Sequence, residues 1–285
     1  MEHDILFYEN KIPTQWVSVL IACYNTEPKY IIECLDSIKN QKGTFGVEVV
    51  WINDGSEIEH SKIQEHILNI FISETKNTKL KYKNMETNMG LSHCLHEGVL
   101  MCSYDLIIRM DTDDIMIESR IQRQLNFMNE NTSCVLCGTN IYCFKDIDEN
   151  TDIDENTDKD ENTDKDEPKR RKIAIVDTSN HAEILTWDEY IKEKSHWFLN
   201  HPTLCFRKYA VISVGNYNKK LRLPFEDLDL ELRILKKYNF VCNLPENLLL
   251  YRIHKDQTTL KNKQHSELNF KIKNKLIDNI INSNN

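Results

Sequence analysis

The sequence predicts an α/β fold, a mostly parallel central sheet with helices on both faces. Three observations predict it. Short unbroken apolar runs alternate with helical periods over the first 110 residues or so. The runs are continuous rather than alternating, as strands covered on both faces must be. Each run ends in polar residues, where parallel sheets bind their ligands.

Taken in order, "VSVLIAC" (Val17 to Cys23) is the first buried strand, and "YIIECLDSI" places Ile31, Cys34, Leu35 and Ile38 on one helical face. "VEVVWI" (Val47 to Ile52) is the second strand, followed by a helix with Ile63, Ile67, Ile70 and Phe71 toward the core. "LKYKNM" is the third strand, "SHCLHEGVLMC" its helix, and "DLIIRM" the fourth strand. Later, "AEILTWDEYIKEK" reads as helix, "HPTLCFR" as strand-like, "LDLELRILKKY" (Leu228 to Tyr238) as helix and "NFVCNLPENLLLYRIH" as an extended finish.

Between the halves lies a six-residue repeat: "DIDENT" at Asp146 and Asp152, "DKDENT" at Asp158, then "DKDE" to Glu167. Almost without apolar residues, it cannot bury a core and reads as a solvated, disordered insertion over 146–172. It lacks the turn glycine and closing glutamate of a calcium loop. Its twelve acids and two lysines give a net −10, so the other 263 residues sum to about +1 of the total −9. The acidity therefore belongs to the insertion, and nothing in the body of the chain marks a nucleic-acid partner.

With 285 residues, 40% of them hydrophobic, the chain can bury a sizeable core. No run approaches the roughly 20 apolar residues of a membrane span. The start, "MEHDILFYENKIP", carries acids where a secretory leader carries basic charge, so the expected location is cytoplasmic. Nine cysteines, mostly inside apolar runs, read as reduced packing residues rather than a disulfide framework. Cys134 and Cys137 have CxxC spacing, but no second pair supports zinc or redox chemistry.

The strand ends carry the chemistry. Tyr24 and Asn25 follow the first strand, Asn53 and Asp54 the second and Asn88 the third, while Asp111, Asp113 and Asp114 follow the fourth. Three carboxylates within four residues repel one another and resist burial, so they need water or a cation beside them. Hard oxygen ligands on a rigid strand end suit Mg²⁺ or Mn²⁺. The alternative is a solvated strand end with Asp114 as a helix cap.

In order along the chain, "VSVLIACYN", "INDGS", "NMGLSHCLHEGV", "LIIRMDTDD" and "FEDLDLELRILKKYNFVCNLPENLLLYRIH" resemble the family 2 glycosyltransferases. The resemblance spans about Val17 to His254 and implies the GT-A fold, a Rossmann-like nucleotide-diphospho-sugar transferase sandwich. It also implies a nucleotide-sugar donor (a UDP-sugar first), Mg²⁺ or Mn²⁺, a glycan, lipid-linked or protein acceptor, and inversion at the anomeric carbon. Residues 1–145 would be the donor-binding half of one domain, 173–262 its acceptor side and 263–285 a helical tail.

Position by position, the resemblance implies that Ala22, Cys23 and Tyr24 line the nucleotide pocket and that Asp54 accepts from the base. Asn88 lies near the donor, Asp111 and Asp113 form the D-x-D, and Asp113 is the principal metal contact; Arg109 is the residue of this chain that would supply positive charge to the donor in place of the family's Arg-Asn. Asp227 is the matched general base, with an N-cap as its plainer role. Glu226 positions acceptor or base, whereas Asp229 is structural. His254 is a metal ligand or a surface imidazole, and His201 faces the acceptor or is a structural histidine. The chain departs from the family at Ala22, where proline is common, and at Leu95 and His96, where Arg-Asn is common.

Rival readings fail on particular residues. "ACYNTEP" offers no basic glycine-rich phosphate loop for a nucleotidyltransferase, and no G-x-G-x-x-G serves a dinucleotide oxidoreductase. A non-catalytic sugar-binding protein on the same scaffold remains the alternative, which turnover separates from an enzyme.

Overall fold

A computed structural model describes residues 13–147, 173–193, 197–221, 225–255 and 266–283. The insertion from 148 to 172 lies outside the described residues, and with it the calcium-loop comparison.

Four parallel strands form the first half: β1 (Gln15–Cys23), β2 (Phe45–Asn53), β3 (Thr78–Asn84) and β4 (Leu106–Asp111). Their connecting helices are α1 (Pro28–Lys39), α2 (Ile58–Glu74) and α3 (Leu91–Met101). The chain runs outward from β1 to β3 and returns to place β4 on the other side of β1. That reversal opens a crevice at the carboxyl ends of β1 and β4, where open α/β sheets bind ligands. The register pairs Ala22 with Asp111, setting the first loop beside the acid cluster.

The remaining elements extend the same sheet. β5 (Ile115–Met116) and α4 (Arg120–Glu130) follow the acids, and β6 (Leu136–Asp146) pairs with β7 (Ile173–Ser179). Next come β8 (Ile184–Thr186), α5 (Trp187–Glu193), a 3₁₀ turn (His201–Thr203), β9 (Cys205–Arg207) and α6 (Lys208–Ser213). Last are α7 (Glu226–Tyr238), β10 (Phe240–Arg252) and α8 (Ser266–Asn282). The strand order is β3-β2-β1-β4-β9-β6-β10-β5, with β9 antiparallel to both neighbours and β10 parallel to β6. Apolar side chains fill both faces, one core under α1, α2 and α4 and the other under α3, α6, α7 and α8.

Four expectations change. In α2 the buried face is Gln64, Leu68 and Phe71, while Ile63 and Ile70 are exposed. Gln64 is drawn inside because its Oε1 accepts from the buried Trp51 indole at 3.2 Å and its Nε2 donates to Ser56 Oγ. "AEILTWDEYIKEK" is a short strand before its helix, since Ile184 to Thr186 pair with β10. "HPTLCFR" begins as a 3₁₀ turn and becomes strand only at Cys205. The strand β6 runs on to Asp146, whose carboxylate accepts from Arg252 at 2.8 Å, so the first residue of the acidic repeat belongs to the folded body. Among the described residues, no helix is long and apolar enough to cross a membrane.

Candidate active site

At the crevice the first loop turns sharply. Ala22 is half-buried, Cys23 is buried and Tyr24 is 50% exposed. Burial pushes the Cys23 thiol up to about 12, which makes it a packing group. Asn25 holds the turn with a positive φ of 47°, its N–H donating to Ser56 Oγ and its Oδ1 accepting from Glu57 N–H. Thr26 and Thr112 hydroxyls, 2.9 Å apart, tie this loop to the acid loop.

Asp54 was expected to accept from a nucleotide base. Its carboxylate is 4% exposed and takes the Met89 N–H at 2.7 Å and the Gly90 N–H at 2.9 Å. It therefore clasps the loop after β3 and anchors the start of α3. Asn88 is exposed on that loop. Gly55 (φ 65°) lets the two loops touch, for a Cβ there would fall 2.4 Å from the Thr87 carbonyl carbon. Leu95 is core, and His96 Nδ1 lies 2.8 Å from the Tyr217 carbonyl.

Asp111, Asp113 and Asp114 each present an oxygen within 4.8 Å of the others. Asp111 Oδ2 lies 2.5 Å from Arg109 Nη1, and Asp113 Oδ2 lies 2.9 Å from His254 Nε2. Asp114 is fully buried; its Oδ1 accepts the Arg252 N–H at 3.0 Å and its Oδ2 has no partner. It caps no helix, since α4 begins only at Arg120. Burial, then repulsion from Asp113 and Asp111, drives the Asp114 carboxyl well above the usual carboxylate range. Asp111 is raised by burial too, opposed by Arg109. A triad of crowded oxygens with one buried lone pair set unused fits a hard divalent cation, which would relieve the repulsion.

Arg109, expected at the donor, is 2% exposed and stands behind the triad. It acts on the site through Asp111. His201, expected toward the acceptor, is likewise buried, with Nε2 2.9 Å from the Tyr217 hydroxyl. Burial and the neighbouring Arg109 charge hold it well below its ordinary pKa, so it is a neutral structural imidazole.

On the far side of Arg109, α7 begins. Its N-cap is Phe225, at φ 86°, a backbone state that costs a bulky residue about 1–3 kcal/mol. Asp227 sits in the first turn, half-buried, with Oδ1 accepting the Leu228 N–H at 2.7 Å. Burial raises its pKa, opposed by that N–H, by the Trp197 indole and by Arg109. Glu226 is nearly buried with Oε2 unpartnered, and burial followed by the Asp227 charge raises it to about 8. The charge of Asp111 also raises Glu226, so the acid triad and the start of α7 lie near enough to act on each other electrostatically. Asp229 instead pairs with Arg233.

Glycosyl transferase family 2 is the family whose model matches this chain, over residues 18–187. The chain belongs to glycosyl transferase family 2. Its relatives in that family include the amylovoran biosynthesis glycosyltransferase AmsE of Erwinia amylovora, 28% identical over 84% of this chain and 77% of the relative. Another is the UDP-Gal:alpha-D-GlcNAc-diphosphoundecaprenol beta-1,3-galactosyltransferase of Escherichia coli, 28% identical over 84% of this chain and 74% of the relative. Among solved structures, S. aureus TarS 1-349 in complex with UDP superposes with a TM-score of 0.58 at 18% identity, covering 83% of this chain. The mannosyltransferase PcManGT from Pyrobaculum calidifontis, in complex with GDP-Man and Mn2+, superposes with a TM-score of 0.59 at 12% identity, covering 88%. The chain spans about 60% of the TarS fragment and 61% of PcManGT. The fold is therefore GT-A, as the family resemblance implied.

The sequence groups Asp114 with the acid cluster but assigns the metal contacts to Asp111 and Asp113, because three adjacent acids do not say which one folds inward. Sequence reading missed Trp197, whose surroundings have no helical or strand period.

Proposed function

We propose that this family 2 member transfers a hexosyl or N-acetylhexosaminyl unit from a nucleoside-diphosphate sugar, a UDP-sugar first, to an acceptor hydroxyl with inversion. The observation that carries the reading is the acid triad at the strand-order reversal, with buried Arg109 paired to Asp111 and its charge also felt by a second pair of acids at the start of α7.

Asp111, Asp113 and Asp114 would hold Mg²⁺ or Mn²⁺, with Asp113 the principal contact and His254 either a further ligand or the group that orients Asp113. When bound, such an ion neutralises the charge that develops on a departing diphosphate. Arg109 pairs with Asp111 and opposes the rise that burial imposes on its carboxyl, which fixes that side chain in place. The half-exposed Tyr24 and the clasped loop of Asn88 form the walls that receive the nucleotide.

Asp227 takes the proton of the attacking hydroxyl as the new bond forms. The free N–H groups at the start of α7 favour its ionised form, while Glu226, raised to about 8, keeps its proton at neutral pH and can hydrogen-bond the acceptor. Placing the two acids in unlike surroundings separates their roles.

The test is incubation of purified protein with a panel of nucleotide sugars and Mn²⁺, following diphosphate release and the anomeric configuration of the product. Release with an inverted product supports the reading. No release with any donor, alongside metal-independent glycan binding, favours a sugar-binding module instead.

A further inference from the structure

Trp197, between α5 and the 3₁₀ turn, is 47% exposed, yet its ring is braced. Its centroid lies 6.0 Å from that of Phe225, the residue whose left-handed backbone starts α7. On α8, the nearly buried Lys273 places its ammonium 5.6 Å from the same ring. Phe225 in turn stands two residues before Asp227, whose carboxyl the nearby Trp197 indole helps to keep ionised. A large aromatic left half in solvent while held by three neighbours forgoes burial but is ready to receive a partner without ordering cost.

A pyranose matches what surrounds it. Its ring carries a face of C–H bonds that packs on an aromatic surface and an edge of hydroxyls that needs polar acceptors. Trp197 offers the first and Asp227 the second. We propose that Trp197 is the acceptor platform: it stacks against the C–H face of a terminal pyranose whose attacking hydroxyl meets Asp227. This rests on the reading of Asp227 as the base. It narrows the acceptor to a sugar, free or lipid-linked, over a serine or threonine hydroxyl of a protein, which has no such face.

Saturation-transfer NMR on the full chain with UDP and Mn²⁺ tests it, using methyl glycosides of glucose, galactose, N-acetylglucosamine and mannose. Dodecyl glycosides of the same sugars separate a lipid-linked preference from a free one. Trp197→Ala should weaken glycoside binding at least tenfold and Trp197→Phe less than about threefold, with UDP affinity unmoved in both. Where transfer is measured, the acceptor KM should rise in step. A wild type that binds none of the glycosides, or a Trp197→Ala protein that binds them as the wild type does, overturns the platform. If Trp197→Ala fails to fold, Trp197→Leu, which keeps a branched apolar side chain but not the flat ring, must show the same tenfold loss or the platform falls. Turnover with an unmoved acceptor KM sinks the platform and spares the catalytic reading; Trp197-dependent glycoside binding with no turnover from any donor sinks the catalytic reading and spares the platform.

Discussion

His254 Nε2 lies 2.9 Å from Asp113 Oδ2, although 141 residues separate them. The contact exists because β10 ends beside the acid loop: Arg252 donates its backbone N–H to Asp114 and its Nε to the Asp113 carbonyl, and His254 follows two residues on. The last strand of the sheet thus closes the site that the fourth strand opens.

From that contact, His254→Ala should weaken UDP binding in the presence of Mn²⁺ by about tenfold, the usual effect of removing a ligand or the group that orients one. UDP affinity in EDTA should not change. Titration calorimetry under both conditions checks this.

The two acids at the start of α7 make a pH prediction. The Glu226 pKa is raised from its ordinary 4.5 to about 8, so folding favours its protonated form. Its burial therefore costs nothing below about pH 4.5, and the cost grows as pH rises toward 8. Glu226→Gln should raise stability relative to wild type by an amount that grows over this window, to on the order of 4 kcal/mol at pH 8. Urea unfolding at pH 5, 6.5 and 8 measures it.

Gly55→Ala should cost more than about 1 kcal/mol, because a Cβ is disfavoured at positive φ and here also strikes the Thr87 backbone. The loops after β2 and β3 must then part, loosening the Asp54 clasp. Thermal unfolding and UDP affinity should both fall.

Arg252 is fully buried, pairs with Asp146 and Glu33 and packs against the Tyr30 and Phe144 rings. Asp146→Ala should cost about 1–3 kcal/mol, because it removes one carboxylate from a buried guanidinium. Deleting 148–167 should cost less than about 1 kcal/mol, since loop length enters closure entropy only logarithmically. Comparing the two melting curves measures how differently Asp146 and the segment 148–167 bear on stability.

Much of this was legible in sequence for physical reasons. The continuous, β-rich run from Val17 to Cys23 reads as a strand covered on both faces, and the end of the fourth strand placed Asp111 and Asp113 at the strand-order reversal, whereas Asp227 came only from the family resemblance. What periodicity cannot show is a polar side chain drawn inward by one specific partner. Gln64 is buried by Trp51, so the face of α2 was misread. Arg109 and His201 look like ligand-binding residues in sequence, yet both are buried, Arg109 beside Asp111 and His201 beside Tyr217. Trp197 gains meaning only from Phe225, Asp227 and Lys273, which chain order keeps apart.

The most direct measurement is UDP titrated with Mn²⁺ into wild type, Asp113→Asn and Asp227→Asn, paired with transfer from whichever donor turns over. The account predicts that Asp113→Asn loses metal-dependent UDP binding, while Asp227→Asn binds UDP nearly as tightly as wild type and transfers nothing. Equal Mn²⁺-dependent UDP binding in wild type and Asp113→Asn, or undiminished transfer by Asp227→Asn, would contradict it.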